Sequence, residues 1–257
     1  MARDLLSMFT RGDALLEAST RRRFIGAIGA GGAIVLLPSM FVACTTDATT
    51  APATSAFALN LSTDVGILNY AYALEQLEAA FYTAALTSPG FAALSAAEQE
   101  VFTDLQAHEV IHREFLKQVL GSAAIPSLAF NATTVGTLTA SRTVLLSTAQ
   151  LLEDTGVSAY NGAGKYLTSA TNLLVAGKIV SVEGRHAAAI RDIRDGTAGV
   201  KFGGDDAVNT AGLDVKAEPD TVLAAVVSLN VVTSPLSIAT LPNQSKRTPD
   251  QPAPTPT

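Results

Sequence analysis

Four long segments of the chain repeat their apolar residues every three to four positions, and almost none of the chain shows the apolar–polar alternation of a β-strand. The segments span residues 63–87, 95–121, 140–163 and 169–194. Between the second and the third, residues 122–137 hold Pro126 and many Ser and Thr, which is typical of a long connection. The pattern predicts an all-α four-helix bundle with one long crossover.

Residues at the helix ends support this division. Ser95 followed by Glu98 forms a capping box at the start of the second helix, and Gly121 is a typical C-terminal stop for it. Beyond the fourth helix, Pro219 and Asp220 begin another apolar stretch. This stretch predicts a short C-terminal helix.

The third predicted helix contains Gly156 in its interior, and the fourth contains Gly177 and Gly184. Each of these costs about 1 kcal/mol of helix propensity relative to Ala. Glycine removes the side chain that keeps neighbouring groups apart. We therefore expect the helices to approach their neighbours closely at these three positions.

The first 44 residues resemble an export signal rather than part of the fold. Thr20–Ile25, TRRRFI, is similar to the twin-arginine motif, and an apolar run containing Pro38 follows it. The run ends at FVAC, which resembles a lipoprotein processing box with Phe41 in the usual place of Leu. We expect a lipidated Cys44, export to the periplasm or cell envelope, and membrane attachment through the signal or the lipid. An ordinary cleaved signal and an uncleaved anchor are the alternatives.

Composition divides the rest of the chain into a tether rich in Thr, Ala and Pro (45–60), the bundle (61–196), an extension with the short helix (197–242) and a polar, disordered tail (243–257). Hydrophobic residues make up 48% of the chain and charged residues 16%, so a core is available. The net charge of −6 without a long basic run argues against a nucleic-acid partner. The single Cys excludes an intrachain disulfide.

The second helix contains HEVIH at residues 108–112, which matches the zinc-protease pattern H-E-x-x-H. In that interpretation both histidines bind zinc and Glu109 is the general base. The fourth helix favours another interpretation, because Glu183 and His186 repeat the Glu-x-x-His formed by Glu109 and His112. Residues three apart share a helix face, so each pair presents a carboxylate and an imidazole to one point.

The first and third helices also share a spacing. Glu75 is followed seven residues later by Tyr82, and Glu153 by Tyr160. Seven residues make two helical turns, so each Tyr lies on the same stripe as its Glu. Glu78, one turn after Glu75, is the alternative acidic residue, and the match to Tyr82 favours Glu75. The chain thus carries Glu…Tyr followed by Glu-x-x-His, twice.

With these motifs the sequence resembles the ferritin-like superfamily and, within it, the exported ferritin-like domain family, which includes desiccation-related proteins. The likeness is carried by ILNYAYALEQLEAAFY and LLEDTGVSAYNGA, and it covers about residues 61–195. It implies a centre of two iron or two manganese ions, held by one Glu from each of two helices and Glu-x-x-His from the other two. The implied ligands are Glu75, Glu109, His112, Glu153, Glu183 and His186.

In such a centre the Glu of each Glu-x-x-His bridges the two ions. Each His holds one ion together with a lone Glu, His112 with Glu75 and His186 with Glu153. We expect the two tyrosines to hydrogen-bond ligand carboxylates, with plain core packing as the alternative, and His108 to be a neighbour of the centre, at the surface or behind the ligands.

The resemblance implies an oxidoreductase, either a ferroxidase or a catalase-like enzyme, that acts on dioxygen or peroxide in oxidative stress or metal handling. The alternatives are a metal-binding or stress-protective bundle without turnover and, more remotely, the zinc protease. The sequence leaves open the identity of the metal, the substrate, the redox partner and the oligomeric state.

Overall fold

The computed structural model of the protein describes residues 57–195, 203 and 206–246. In this part of the chain the helices are α1 (Asp64–Ala85), α2 (Pro89–Ala92), α3 (Ala96–Leu120), α4 (Ala132–Leu138), α5 (Arg142–Ala163), α6 (Ala170–Asp195) and α7 (Pro219–Ser228). α1 packs along α3, and α5 along α6; the two pairs contact each other to form a four-helix bundle. The predicted all-α bundle with a long crossover and a short C-terminal helix is confirmed.

Side chains just before the long helices fix their starting points. The hydroxyls of Thr63, Ser95 and Ser141 each accept a backbone N–H from the first turn of α1, α3 and α5, respectively. Ser95 and Glu98 form the predicted capping box. Asp64, in the first turn of α1, accepts the backbone N–H groups before α6, including that of Thr168 at 2.8 Å. The two helix pairs are therefore joined at this end of the bundle.

The crossover from α3 to α5 lies over the outer side of α1. Asn69 donates to the backbone carbonyl of Ala123 and accepts the N–H of Ile125, and Gln76 accepts the N–H of Leu128. Every residue from 66 to 79 is buried, so α1 is covered on all sides. The crossover also contains α4, a helix that the sequence pattern did not indicate.

The C-terminal extension folds back onto the bundle. The N–H of Ala217 donates to Ser158 at 2.9 Å, and buried Glu218 accepts from Tyr166 at 2.5 Å and from Lys165. Gly162 makes this approach possible, because a Cβ placed there would lie 1.7 Å from the carbonyl oxygen of Ala217. α7 then packs against α5.

A short parallel sheet joins the two ends of the described chain. β1 (Phe57–Asn60) pairs with β2 (Leu236–Thr240). Residues 57–60 therefore belong to the fold and not to the tether in which the sequence placed them, because backbone pairing with the extension orders them. Residues 244–246, assigned to the disordered tail, form a 3₁₀ turn.

The predicted signal, Cys44, and residues 45–56 of the predicted tether lie outside the described residues, as does the tail from residue 247. Among the described helices, none combines the length and the apolar character that crossing a bilayer requires.

Candidate metal centre

Four long helices bring the six predicted ligand side chains to one place in the middle of the bundle. α1 and α5 each contribute one Glu, whereas α3 and α6 each contribute a Glu and, one turn later, a His. All four carboxylates are fully buried, His186 is 4% exposed, and the His112 side chain is 12% exposed. The six residues are Glu75, Glu109, His112, Glu153, Glu183 and His186.

The side chains divide into two overlapping groups. Nδ1 of His112 lies 2.9 Å from Glu183 Oε1, 3.4 Å from Glu75 Oε2 and 3.6 Å from Glu109 Oε2. Each member of this group offers one ligand atom within 4.8 Å of the others, so the group could hold a metal ion. Glu109 and Glu183 are shared with the second group, whereas Glu75 and His112 are not.

The second group is built in the same way around His186. Its Nδ1 lies 2.7 Å from Glu109 Oε1, 3.4 Å from Glu153 Oε2 and 3.6 Å from Glu183 Oε2. This group could also hold a metal ion. Each shared carboxylate thus directs one oxygen toward each group.

These His and Glu atoms lie close together but do not have the geometry of hydrogen bonds. Nδ1 of both histidines, both oxygens of the two shared Glu, and one oxygen each of Glu75 and Glu153 are buried without a hydrogen-bond partner that has acceptable geometry. Buried polar atoms are rarely left without a partner in a folded protein. In each group the four atoms lie within 4.8 Å of one another, close enough to surround a cation. The residues therefore fit a metal centre.

The two tyrosines hydrogen-bond the remaining oxygens of Glu75 and Glu153. Each tyrosine contacts the Glu of the other helix. The Tyr82 hydroxyl on α1 donates to Glu153 Oε1 on α5, and the Tyr160 hydroxyl on α5 donates to Glu75 Oε1 on α1, both at 2.5 Å. Seven residues span about 10 Å along a helix axis, too far for a Tyr to reach the Glu of its own helix. Because α1 and α5 run in opposite directions, each Tyr lies level with the Glu of the other helix. Each lone Glu is left with one free oxygen.

The pKa shifts of the clustered carboxylates and histidines also fit a site for a cation. Burial, together with repulsion from Glu183, raises the pKa of Glu75 to about 8; burial raises the pKa of Glu153 to about 8, although His186 opposes it. Burial alone would lower the pKa of His186, but its carboxylate neighbours raise it to about 12. Protons thus offset the crowded negative charge where a cation is absent.

His108 lies behind the second group and does not point at the carboxylates. Its Nδ1 is 2.9 Å from His186 Nε2, and the two rings are stacked with their centroids 5.2 Å apart. The predicted position as a neighbour of the centre holds. In the zinc-protease interpretation His108 would ligate the same ion as His112; the structure instead turns it toward the outer nitrogen of His186.

Glu78, the alternative to Glu75 in the sequence, is also buried but belongs to neither group. Its side chain is 3% exposed, and burial followed by the charges of the nearby Glu residues raises its pKa. A Cβ on Gly156 would lie 2.9 Å from Glu78 Oε1, so the close approach predicted at this glycine is present. At Gly177 and Gly184 the prediction is wrong, because a Cβ there would meet no atom within 4 Å.

A comparison with known families agrees with the fold. The family model described as a ferritin-like domain matches residues 63–195, which is more than half of the chain and includes all six ligand candidates. No curated protein matches the sequence.

Proposed function

The chain belongs to the ferritin-like domain family, and on that premise we propose that it binds two iron or manganese ions and uses them in redox chemistry on dioxygen or peroxide. The observation that carries the proposal is the set of eight buried ligand atoms without hydrogen-bond partners, four in each group. Four carboxylates and two divalent ions also cancel in charge, which relieves the desolvation of the carboxylates.

The chain's own residues hold and orient the ions. Glu109 and Glu183 would bridge, because each directs one oxygen toward each group. Tyr82 and Tyr160 occupy one oxygen of each lone Glu, so each of these carboxylates would have its other oxygen available for an ion. A pair of redox-active ions would supply the electrons for reducing an oxidant.

Elemental analysis of the purified protein tests the metal assignment. We expect two Fe or two Mn per chain after reconstitution, and a single zinc or no metal would contradict it. Loss of Fe(II) with consumption of dioxygen or peroxide would then support a ferroxidase or peroxide-consuming enzyme. Two bound ions without either reaction would instead identify a metal-binding protein without turnover.

We further propose that the protein is exported and attached to the membrane through Cys44. The support is the TRRRFI and FVAC motifs at residues 20–44. A Cys44→Ser variant should move from the membrane fraction to the soluble cell-envelope fraction, and retention of the wild-type distribution would contradict lipid attachment.

A further inference from the structure

Glu78 has no role in the two groups of metal-ligand candidates. It lies one turn after Glu75 on α1, and among the described residues no donor hydrogen-bonds its carboxylate. Neither carboxylate oxygen of Glu78 is among the fully enclosed polar atoms that lack a partner, so the carboxylate has open space beside it. The carboxylate faces a cavity between α1, α5 and α7.

The cavity has a volume of about 240 Å³ and runs from the surface to Glu78. Its outer rim includes the exposed residues Leu151, Ala225 and Ser228, whereas Glu78 and Gly156 at its inner end are buried. Five leucines and one valine make up most of the wall, and Glu78 is its one ionisable group. An apolar wall disfavours the passage of a hydrated cation and leaves a small uncharged molecule free to enter.

The inner end of the cavity lies next to a shared ligand candidate. A Cβ at Gly156 would be 2.9 Å from Glu78 Oε1 and 3.7 Å from Glu183 Oε2. Without a Cβ, Gly156 leaves a gap narrower than a methyl group between Glu78 at the inner end of the cavity and Glu183 of the centre. Any larger residue would fill this gap, with Glu78 as the group it meets first.

We propose that this cavity is the route by which a small uncharged oxidant, dioxygen or hydrogen peroxide, reaches the centre, and that Glu78 and Gly156 form its inner gate. The proposal rests on the proposed function, since it requires metal at the centre. Metal ions would enter elsewhere; the side chain of His112 is the more exposed of the two ligand histidines, at 12% against 5% for His186.

The first test compares Gly156→Ala with Gly177→Ala. Both change a glycine within a long helix, but only the first adds a methyl group at the gate. In the Fe(II)-loaded protein we expect Gly156→Ala to slow the binding of nitric oxide, a small uncharged probe that needs no turnover, by about tenfold or more. Gly177→Ala should match the wild type. Stopped-flow oxidation by dioxygen and by hydrogen peroxide, in separate runs, shows which oxidant uses the route.

A second pair of variants leaves the centre untouched. Ala225 and Ala224 are both exposed on α7, but only Ala225 lines the cavity. Ala225→Trp should slow nitric oxide binding by filling the mouth, and Ala224→Trp should not. This pair decides the question if Gly156→Ala fails to fold or loses its metal.

Failure of the proposed function and failure of the proposed gate give different results. If the wild-type protein holds no iron, the proposed function fails. If it holds two ions, and Gly156→Ala and Ala225→Trp both bind nitric oxide at the wild-type rate, the gate is overturned while the metal centre stands. If Glu78→Ala restores the wild-type rate in the Gly156→Ala background, the methyl group acts by closing the gap against Glu78, as proposed.

Discussion

The two halves of the bundle place the same residues around the centre but treat their histidines differently. The α1–α3 pair supplies Glu75 and His112, and the α5–α6 pair supplies Glu153 and His186. Both lone Glu residues accept a Tyr hydroxyl at 2.5 Å. His186 contacts a further imidazole through its outer nitrogen, whereas among the described residues nothing hydrogen-bonds the ring of His112.

The difference arises at a single position of the repeat. His108 precedes the Glu of the first Glu-x-x-His, and Val182 precedes the Glu of the second. A metal-bound His usually donates its other N–H to a fixed acceptor, which sets its tautomer and orientation. His108 offers such a partner to His186, and among the described residues none is seen at His112. One extra imidazole thus makes the two groups of a nearly twofold set of ligand candidates unequal.

Removing a shared carboxylate should have the largest effect, because it damages both halves at once. We expect Glu183→Ala to abolish the binding of both ions, whereas Glu153→Ala should lose the ion in its own half and retain part of the other. Metal content per chain measures both. An unchanged metal content in Glu183→Ala would show that the two groups do not share this ligand.

Without metal, the stability of the protein should depend on pH through Glu75 and Glu153, one in each half of the bundle. In the metal-free fold the pKa values of Glu75 and Glu153 are raised from 4.5 to about 8. The folded state then binds more protons than the unfolded state between these values. The stability that these two groups contribute is therefore fully present below pH 4.5 and is lost, by several kcal/mol, as the pH rises toward 8. The histidines act in the same direction above pH 6.5.

Thermal melts of the metal-free protein between pH 5 and pH 8 check this expectation. The metal-loaded protein should show the opposite trend, because rising pH removes the protons that compete with the ions. A metal-free melting temperature that rises over this interval would contradict the buried, protonated carboxylates.

Truncating His108 should make the halves alike. Loss of a partner behind a metal-bound His typically weakens metal affinity by about 10- to 100-fold, so we expect His108→Ala to weaken one of the two binding steps and spare the other. Titration of metal into the metal-free protein resolves the two steps. Val182→Ala, at the matching position of α6, is the control, and equal weakening of both steps would contradict the asymmetry.

The smallest effect is expected at the tyrosines, where the halves match. Tyr82→Phe and Tyr160→Phe each remove one buried hydrogen bond, and each should cost about 1 kcal/mol of unfolding free energy. Chemical denaturation of the two metal-free variants measures the costs side by side. Costs that differ severalfold would show that the two lone Glu residues are not held equivalently.

The helices and the ligand candidates could be predicted because both follow short-range spacing. Glu-x-x-His places two donors on one face of a helix, and Ser95 with Glu98 marks a helix start, whatever the rest of the chain does. The choice of Glu75 over Glu78 also rested on spacing, and the structure places Glu75 in a ligand group and Glu78 outside both.

The other features of the site and fold could not be predicted, because they depend on which helices are neighbours. Residue spacing along one helix does not show which helices these are. The crosswise tyrosines follow from the opposite directions of α1 and α5. The contact of His108 with His186 needs α3 and α6 side by side. Gly156 faces Glu78 and Glu183, whereas no atom lies within 4 Å of a Cβ placed at Gly177. Residues 57–60 form a strand because the C-terminal extension pairs with them.

That returning strand has a consequence for how the chain acquires its structure. The helix pairs are local in sequence, and such contacts form early, whereas β1 with β2 joins segments at opposite ends of the domain. The sheet cannot close until residue 240 has left the ribosome. Gly66, where a Cβ would lie 1.6 Å from the carbonyl oxygen of Asn60, allows the end of β1 to pack against the start of α1. Closing the sheet thus depends on a long-range contact, whereas each helix pair needs only contacts that are local in the sequence.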